Sequence, residues 1–469
     1  MIHPRHLFDQ HGQGQVFRFF DDLPADKQDA LTRQAASIDL DEIDQLVKTL
    51  VKKNAPTKSP DADPEPADYI PVLSKNQNGE AWQKATKTGE QALRNGRVAA
   101  FTVAGGQGTR LGFDGPKGTF PISPVSEKSL FQIFAEKIKN SGERYQCSIP
   151  WFIMTSLQNH DETSAFFRDH SFFGLDPESL HLFPQGTIPI VDQEGKILLN
   201  DKHNIAMSPD GHGGSLRALV RSGATRWMEE KGIDLLSCFQ VDNPLVKCID
   251  PAFIGFHLNK DSQLSSKIIV KKDPDEKVGV FCKKGEHTQV IEYSDLAQEL
   301  QQQTDPDGAL RFRAGSIAVH IFHRELVEKL GGNSGEGNLP FHVAHKKNSS
   351  LDENGQLVEA PAIKFEMFIF DALPFAENPL ILEALRESEF SPVKNARGSD
   401  SPESSRNDQL RQFARWFKAN GINLNTDGNG IPEIKIEVSP QFADTKERFT
   451  EAWKSLSPQP EIKNGLVVE

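Results

Sequence analysis

The sequence predicts an α/β fold built on a mixed, mostly parallel sheet with flanking helices. Three observations carry that expectation. From Arg97 onward, apolar runs of strand length alternate with amphipathic helical segments, the pattern of parallel strands joined by crossover helices. The first such run, Val98–Val103, leads straight into a glycine-rich loop. A chain of 469 residues, 37% of them hydrophobic, is also long enough to bury a large core and exceeds one typical domain.

Residues 16–53 read as one or two amphipathic helices. Leu23-Pro-Ala-Asp26 supplies a break, and Leu40, Ile43, Leu46, Val47 and Leu50 recur at helical spacing. Ala55 to Pro71, rich in Pro and Asp, reads as a linker, and a helix from Glu80 to Asn95 stops at Gly96. Strand Val98–Val103 precedes helix Leu130–Lys139, strand Trp151–Thr155 precedes helix Glu162–Asp169, and helix Ser215–Lys231 precedes strand Leu235–Val241. The short β-rich runs Lys267–Val270, Val278–Phe281 and Gln289–Tyr293 suggest a meander beside the main sheet. A second α/β stretch, Ser316 to Phe375, follows. The polar segment Asn395–Asn407 reads as a surface loop or boundary. Helix Gln409–Lys418 and strand Ile434–Val438 then form a small C-terminal α+β appendix. The expected division is a helical region at 1–96, a catalytic domain at 97–390 and a C-terminal region at 391–469.

The loop after the first strand is the most informative stretch. Val103-Ala-Gly-Gly-Gln-Gly-Thr-Arg-Leu-Gly112 is followed at once by Gly115-Pro-Lys117-Gly-Thr119. Glycines let a backbone bring its N–H groups close to an anion, and Arg110 and Lys117 add permanent positive charge. The dinucleotide spacing G-x-G-x-x-G fails because Leu111 stands where its third glycine belongs. The Walker A spacing fails because Leu111 and Pro116 occupy its glycine positions. What remains is a loop suited to a nucleoside triphosphate.

Composition narrows the partners. The 53 Lys and Arg against 66 Asp and Glu give a net charge of −13, so no nucleic acid and no anionic membrane surface is expected as a partner. Phosphate must instead be met by a local concentration of cations. The four cysteines (Cys147, Cys238, Cys248, Cys282) have no C-x-x-C spacing, which favours free thiols in a reducing compartment. No apolar run approaches the ~18 residues of a membrane span, and the N-terminus lacks a signal-like apolar region. The expected location is cytoplasmic.

The stretch Gly105 to Leu111 with Pro116-Lys117 resembles the nucleotide loop of the uridylyltransferase (sugar-nucleotide pyrophosphorylase) family, closest to its eukaryotic-type UDP-N-acetylhexosamine branch. The similarity continues in order through Ile149–Ser156, Pro209-Asp-Gly-His-Gly-Gly214, Val241-Asp-Asn243, Val290-Ile-Glu-Tyr-Ser294 and Ser391-Pro-Val-Lys-Asn-Ala396, over roughly residues 80 to 397. The resemblance implies a Rossmann-like nucleotidyltransferase fold of the GT-A-like type. It implies an Mg²⁺-dependent reaction of UTP with a hexose 1-phosphate, N-acetylglucosamine 1-phosphate first, giving a UDP-sugar and pyrophosphate. Glucose or galactose 1-phosphate is the alternative, and a catalytically silent binder of UTP or UDP-sugar is the rival of another class.

Such a reaction joins two polyanions at the α-phosphorus and needs positioning and charge neutralisation more than a protein nucleophile. Arg110 and Lys117 are the candidates for stabilising the reacting phosphates, and the resemblance implies that Lys394, in Ser391-Pro-Val-Lys-Asn-Ala396, reaches them as well. The resemblance adds backbone contacts to the nucleotide from Val103, Ala104, Gly105 and Gly106. It assigns uracil contacts to Gln185 and Gly211, metal and nucleotide contacts to Asp242, and sugar hydroxyls to Glu292. A carboxylate such as Asp242 at a strand end suits Mg²⁺, which takes one or two carboxylates beside phosphate oxygens. Two positions depart from the acetamido-sugar pattern. His212 stands where the branch carries Asn, as in UDP-glucose enzymes, and Ser316 replaces another Asn.

Overall fold

The computed structural model describes residues 3–52, 63–72, 79–332 and 339–469. Of the expected Ala55–Pro71 linker, residues 55–62 lie outside the described residues. Contacts group the chain into two compact units that are interleaved in sequence and do not follow boundaries at 96 and 390. The first holds Met1–Ala62, Gln185–Arg217 and Gly331–Asp371; the second holds Asp63–Pro184, Ala218–Leu330 and Ala372–Glu469.

In the second unit, ten strands form one sheet: β1 (Glu65–Pro66), β2 (Val98–Val103), β3 (Trp151–Thr155), β4 (Leu180–Pro184), β5 (Leu235–Gln240), β6 (Leu264–Val270), β7 (Val280–Lys284), β8 (His287–Ile291), β9 (Ala314–His323) and β10 (Leu380–Glu383). The path runs β1-β7-β9-β5-β2-β3-β4, with β6 pairing β9 and β10 and β8 pairing β7. From β5 to β4 all pairs are parallel, as the alternation of strands and helices requires. The other half is largely antiparallel. The expected separate meander is a correction here: β6, β7 and β8 extend the main sheet through β9. Long β9 allows this by pairing with β5 over His320–His323, with β7 at Gly315, and with β6 along its other edge. The two-residue link between β7 and β8 can join only antiparallel neighbours.

The apolar runs of β2 and β3 are buried on both faces. With helix Leu130–Tyr145 they form a core around Phe131, Phe134, Trp151 and Phe239. Helix Glu80–Arg94 crosses helix Pro251–Asn259 at Gly89 and Gly255, where backbone meets backbone. A Cβ on Gly89 would overlap the Pro251 carbonyl, and one on Gly255 the Ala85 carbonyl. Overpacking of this kind costs about 1–3 kcal/mol. Gly89→Ala is therefore expected to lower the thermal unfolding midpoint by several degrees. An unchanged midpoint would show that the two helices are not held this close.

The expected helix Ser215–Lys231 is two helices, Gly214–Arg221 and Ala224–Glu230, broken where Gly223 takes φ +80°. The segment expected to be loop at 395–407 turns helical at Pro402. Ser401 caps it in a reciprocal arrangement with Ser404, and proline at the first position starts the helix Pro402–Ala419. The C-terminal appendix has its own core of Phe413, Trp416, Phe417, Phe449 and Trp453. It is tied to the sheet's helical layer by buried Glu437, which accepts the N–H groups of Val125 and Ser126 (2.9 Å each), just downstream of the glycine-rich loop.

In the first unit, helices Pro4–Gln10, Ala25–Ala36 and Leu40–Leu46 share a core with the long hairpin Phe341–Leu351/Leu357–Met367. Phe8, Phe17, Leu31 and Ile43 bury against Ile188, Val191, Ile363 and Phe365, so helical apolar spacing meets the inner face of a two-stranded ribbon. Among the described residues no helix is long and apolar enough to cross a membrane. All four cysteines are free.

Candidate active site

The glycine-rich loop leaves the carboxyl end of β2, a central parallel strand, where α/β sheets place their ligands. It folds back on itself. The N–H of Lys117 donates to the Gly106 carbonyl (3.0 Å) and the N–H of Gly108 to Gly115 (2.9 Å). Buried Asn159 donates from Nδ2 to the Ala104 carbonyl (3.1 Å) and holds the loop's first turn. These bonds use carbonyls; the N–H groups of Gly105, Gly106 and Gln107 donate to no backbone carbonyl among the described residues. Three successive N–H groups thus remain for an anion, beside half-buried Lys117 and with exposed Arg110 on the following 3₁₀ turn. Neither cation is ion-paired among the described residues.

Strand β5 is the parallel neighbour of β2, and the two leave the sheet together: the N–H of Val241 donates to the Val103 carbonyl (3.2 Å). Asp242, the next residue, is therefore delivered beside the loop. Its half-buried carboxylate makes no hydrogen bond or ion pair among the described residues. Its carbonyl accepts the N–H of Val393 (2.8 Å), which brings the Ser391–Ala396 segment and Lys394 to the same strand end. The N–H of Lys394 and that of Asn395 both donate to the carbonyl of Asp400 (2.7 and 2.9 Å). The Asp400 carboxyl titrates above its ordinary value because it is half-buried, and the Asp242 charge raises it further while Lys394 opposes the shift. Asp242, Lys394 and Asp400 thus form one electrostatic group, and Asp400 escaped sequence reasoning because it lies in a stretch that reads as polar loop.

Glu292 follows directly on β8, and a Cβ on Gly279 would lie 3.3 Å from its Oε1. The N–H of Ser316 donates to the Gly279 carbonyl (2.8 Å). Gly279 thereby brings together the two positions assigned to the sugar in this unit. Ser316 is the third residue of β9, whose antiparallel register with β5 puts that end alongside the carboxyl end of β5.

Gln185, Gly211 and His212 belong to the first unit. Gln185 Nε2 donates to the Gly211 carbonyl (2.7 Å) and to Asp210 Oδ1 (3.1 Å), so its donor is engaged and Oε1 is left to accept. Gly211 has φ +83°, and a Cβ there would strike the Met367 backbone; only glycine fits. His212 packs against the Phe368 and Phe370 rings (centroids 5.4 and 5.6 Å), which also touch each other (5.2 Å), and its Nδ1 accepts the N–H of Ile369 (3.1 Å). That bond assigns the ring proton to Nε2. Burial among the phenyl rings pushes the imidazole pKa down to about 4, so the ring is neutral at pH 7.

Two buried polar side chains stand beside Asp242 to which the sequence assigned no role. Asn243 is buried, with Nδ2 donating to the Glu389 carbonyl (2.7 Å) and Oδ1 accepting the N–H of Ser391 (3.0 Å). Lys137, buried on a helix that reads as amphipathic, donates from Nζ to the carbonyls of Pro244 (2.6 Å) and Val246 (2.8 Å). Burial lowers the pKa of that ammonium. Any asparagine before a proline reads as a turn and any helical lysine as solvated, so neither carried a signal.

Among known proteins, residues 51–449 match the family model described as UTP–glucose-1-phosphate uridylyltransferase. The UDP-N-acetylhexosamine pyrophosphorylase-like protein 1 of Xenopus tropicalis is 36% identical over 465 residues, covering 93% of this chain and 91% of that one. The UDP-N-acetylglucosamine pyrophosphorylase of Saccharomyces cerevisiae is 35% identical, covering 96% of this chain and 97% of its own. A crystal structure of a putative UDP-N-acetylglucosamine pyrophosphorylase from Entamoeba histolytica superposes with a TM-score of 0.74 at 31% identity, covering 87% of this chain and 100% of that one. The Trypanosoma brucei enzyme's structure, at a TM-score of 0.81 and 24% identity, matches in fold over 100% of this chain and 99% of its own. Loop, strand ends and relatives agree: the chain belongs to the UTP–glucose-1-phosphate uridylyltransferase family of UDP-sugar pyrophosphorylases, which are nucleotidyltransferases.

Proposed function

We propose that this chain joins UTP to N-acetylglucosamine 1-phosphate, forming UDP-N-acetylglucosamine and pyrophosphate. The observation that carries the reading is the nest of Gly105, Gly106 and Gln107 N–H groups beside Lys117, placed by adjacent strands next to Asp242 and Lys394. A phosphate oxygen of the sugar attacks the α-phosphorus; the new O–P bond forms as the bond to the β-phosphate breaks, and pyrophosphate leaves with that electron pair. The nest and Arg110 hold the triphosphate, while Lys117 and Lys394 neutralise charge on the reacting phosphates. Backbone atoms of Val103 and Ala104 line the nucleotide. In the first unit, Gln185 Oε1 accepts from uracil's N–H and the Gly211 N–H donates to a base carbonyl. Glu292 accepts from sugar hydroxyls.

Mg²⁺ fits the residues present. Asp242 offers an unengaged carboxylate, and no group of three or more acidic, His or Cys side chains that could hold a metal by themselves exists among the described residues. An ion held by one or two carboxylates and by phosphate oxygens suits that donor set. When bound, the ion neutralises phosphate charge. The free cysteines support a reducing, cytoplasmic setting.

The test is pyrophosphate release from each of the four nucleoside triphosphates with a panel of hexose 1-phosphates. UTP should exceed ATP, CTP and GTP in kcat/KM, and Gln185→Ala should narrow that preference. A base held by hydrogen bonds leaves polar groups unpaired when exchanged, which can cost several kcal/mol. Equal use of ATP and UTP would overturn the assignment. Silence across the panel with UTP binding intact would identify a non-catalytic binder.

Sugar choice rests on His212 and Ser316. Neutral His212, with Nδ1 engaged by Ile369, offers only an Nε2 donor, whereas the Asn of the acetamido-sugar pattern offers a donor and an acceptor. The shorter Ser316 leaves room for the acetamido group or a water. The expected result is a higher kcat/KM for N-acetylglucosamine 1-phosphate than for glucose 1-phosphate. The ratio should be flat between pH 6 and 8, because His212 gains charge only as pH falls toward about 4. A preference for glucose 1-phosphate, shifted toward the acetamido sugar by His212→Asn with Ser316→Asn, would overturn the choice of sugar and identify these two residues as the selector.

A further inference from the structure

We propose that Asn243 is a positioning residue that sets Lys394 against the reacting phosphates; the inference rests on the nucleotidyltransferase reading above. Asp242 and Lys394 are 152 positions apart in sequence, and no secondary-structure pairing of β5 reaches the Lys394 segment. What joins them is a short ladder made by one strand end. The Asp242 carbonyl accepts the N–H of Val393 (2.8 Å). The Asn243 side chain makes the other two rungs, accepting from Ser391 (3.0 Å) and donating to Glu389 (2.7 Å). A side-chain amide thus does what a partner strand would do. It offers a donor and an acceptor in one plane, a pattern no other side chain of this size supplies.

The ladder has a fixed base. The turn that carries Asn243 is gripped from behind by the Lys137 ammonium on Pro244 and Val246, and its front edge by the bond from Val241 to Val103 in the loop strand. A buried ammonium with no ion pair among the described residues is costly, so its two carbonyl bonds mark a turn whose placement matters. The far side is also braced: Ser405 Oγ donates to the Ser391 carbonyl (3.0 Å), linking the segment to the helix Pro402–Ala419. Lys394 therefore hangs from a rigid bracket of which Asn243 is the central link. Misplacing a reacting group by about 1 Å can cost 10²-fold in rate.

A double-mutant cycle decides the matter, read as kcat and KM for UTP and N-acetylglucosamine 1-phosphate, with thermal unfolding recorded for every variant. Asn243→Ser is expected to lower kcat about 10–100-fold with KM for UTP changed less than about threefold. In a Lys394→Ala background the same substitution should cost less than about threefold, since there is no longer a cation to place. In an Arg110→Ala background it should cost its full factor. Equal losses in both backgrounds would show a general structural effect and overturn the proposal. Should Asn243→Ser fail to fold, Asn243→Asp, which keeps the size and the acceptor for Ser391, carries the same cycle. A native protein inactive with every sugar phosphate overturns the parent reading and this inference together; an active one with additive losses overturns this inference alone.

Discussion

Lys117→Ala is expected to lower kcat by about 10²–10³-fold while the protein stays folded, the loss typical for one group that stabilises developing charge. The structure separates the two roles of this residue. Its backbone N–H closes the loop onto the Gly106 carbonyl (3.0 Å), a bond that alanine retains. Its side chain is half-buried and makes no ion pair among the described residues, so truncation removes a charge and leaves no partner stranded. Stability should therefore move by less than about 0.5 kcal/mol, and the thermal midpoint hardly at all. The effect should fall on kcat more than on KM for UTP, because the proposed triphosphate contacts from three backbone N–H groups and Arg110 remain in place. Lys117→Arg keeps the charge and should recover part of the loss, though a planar guanidinium does not reproduce a point charge. Near-normal turnover of Lys117→Ala at saturating UTP would remove this residue from the chemistry.

Much of this centre was legible because its parts follow strands that declare themselves. Val98–Val103 and Leu235–Gln240 are apolar enough to be buried on both faces, and a loop or acid placed directly after such a strand lands at the ligand-binding edge. Lys394 could be assigned only by resemblance, since what brings its segment to Asp242 is one backbone bond from Val393 and two bonds of the Asn243 side chain, which no periodicity encodes. The pairing of the N-terminal helices with the hairpin at 341–367 was equally silent. Phe8, Phe17 and Ile43 announce that a face must be buried, but not against which partner. The helix start at Pro402 was missed for a different reason. Polar composition suggested loop, whereas Ser401-Pro402 with Ser404 three positions after the cap is a helix signal that outweighs it.

Asp242→Asn is the second large effect, again about 10²–10³-fold in kcat. The substitution is isosteric, and the backbone bond from Val393 to residue 242 does not depend on the side chain. The change therefore leaves Lys394 where it was and removes one negative charge and one carboxylate oxygen, the one proposed to bind the metal. That makes it separable from Lys117→Ala by its dependence on Mg²⁺. With Asp242 weakened as a ligand, the Mg²⁺ concentration giving half-maximal rate should rise, and excess ion should restore part of the turnover; in Lys117→Ala the Mg²⁺ midpoint should stay put. Chelation should silence the native protein and Mg²⁺ should revive it. Asp400 sharpens the comparison, because its half-buried carboxyl is already pushed up from its ordinary value by desolvation and in part by the Asp242 charge. Neutralising position 242 removes that repulsion, so Asp400 should ionise at a lower pH in Asp242→Asn than in the native protein, a shift measurable by NMR without substrate or metal. Full activity of Asp242→Asn at saturating Mg²⁺ and UTP, with an unmoved Mg²⁺ midpoint, would mean that the ion is held elsewhere and that Asp242 serves only the turn.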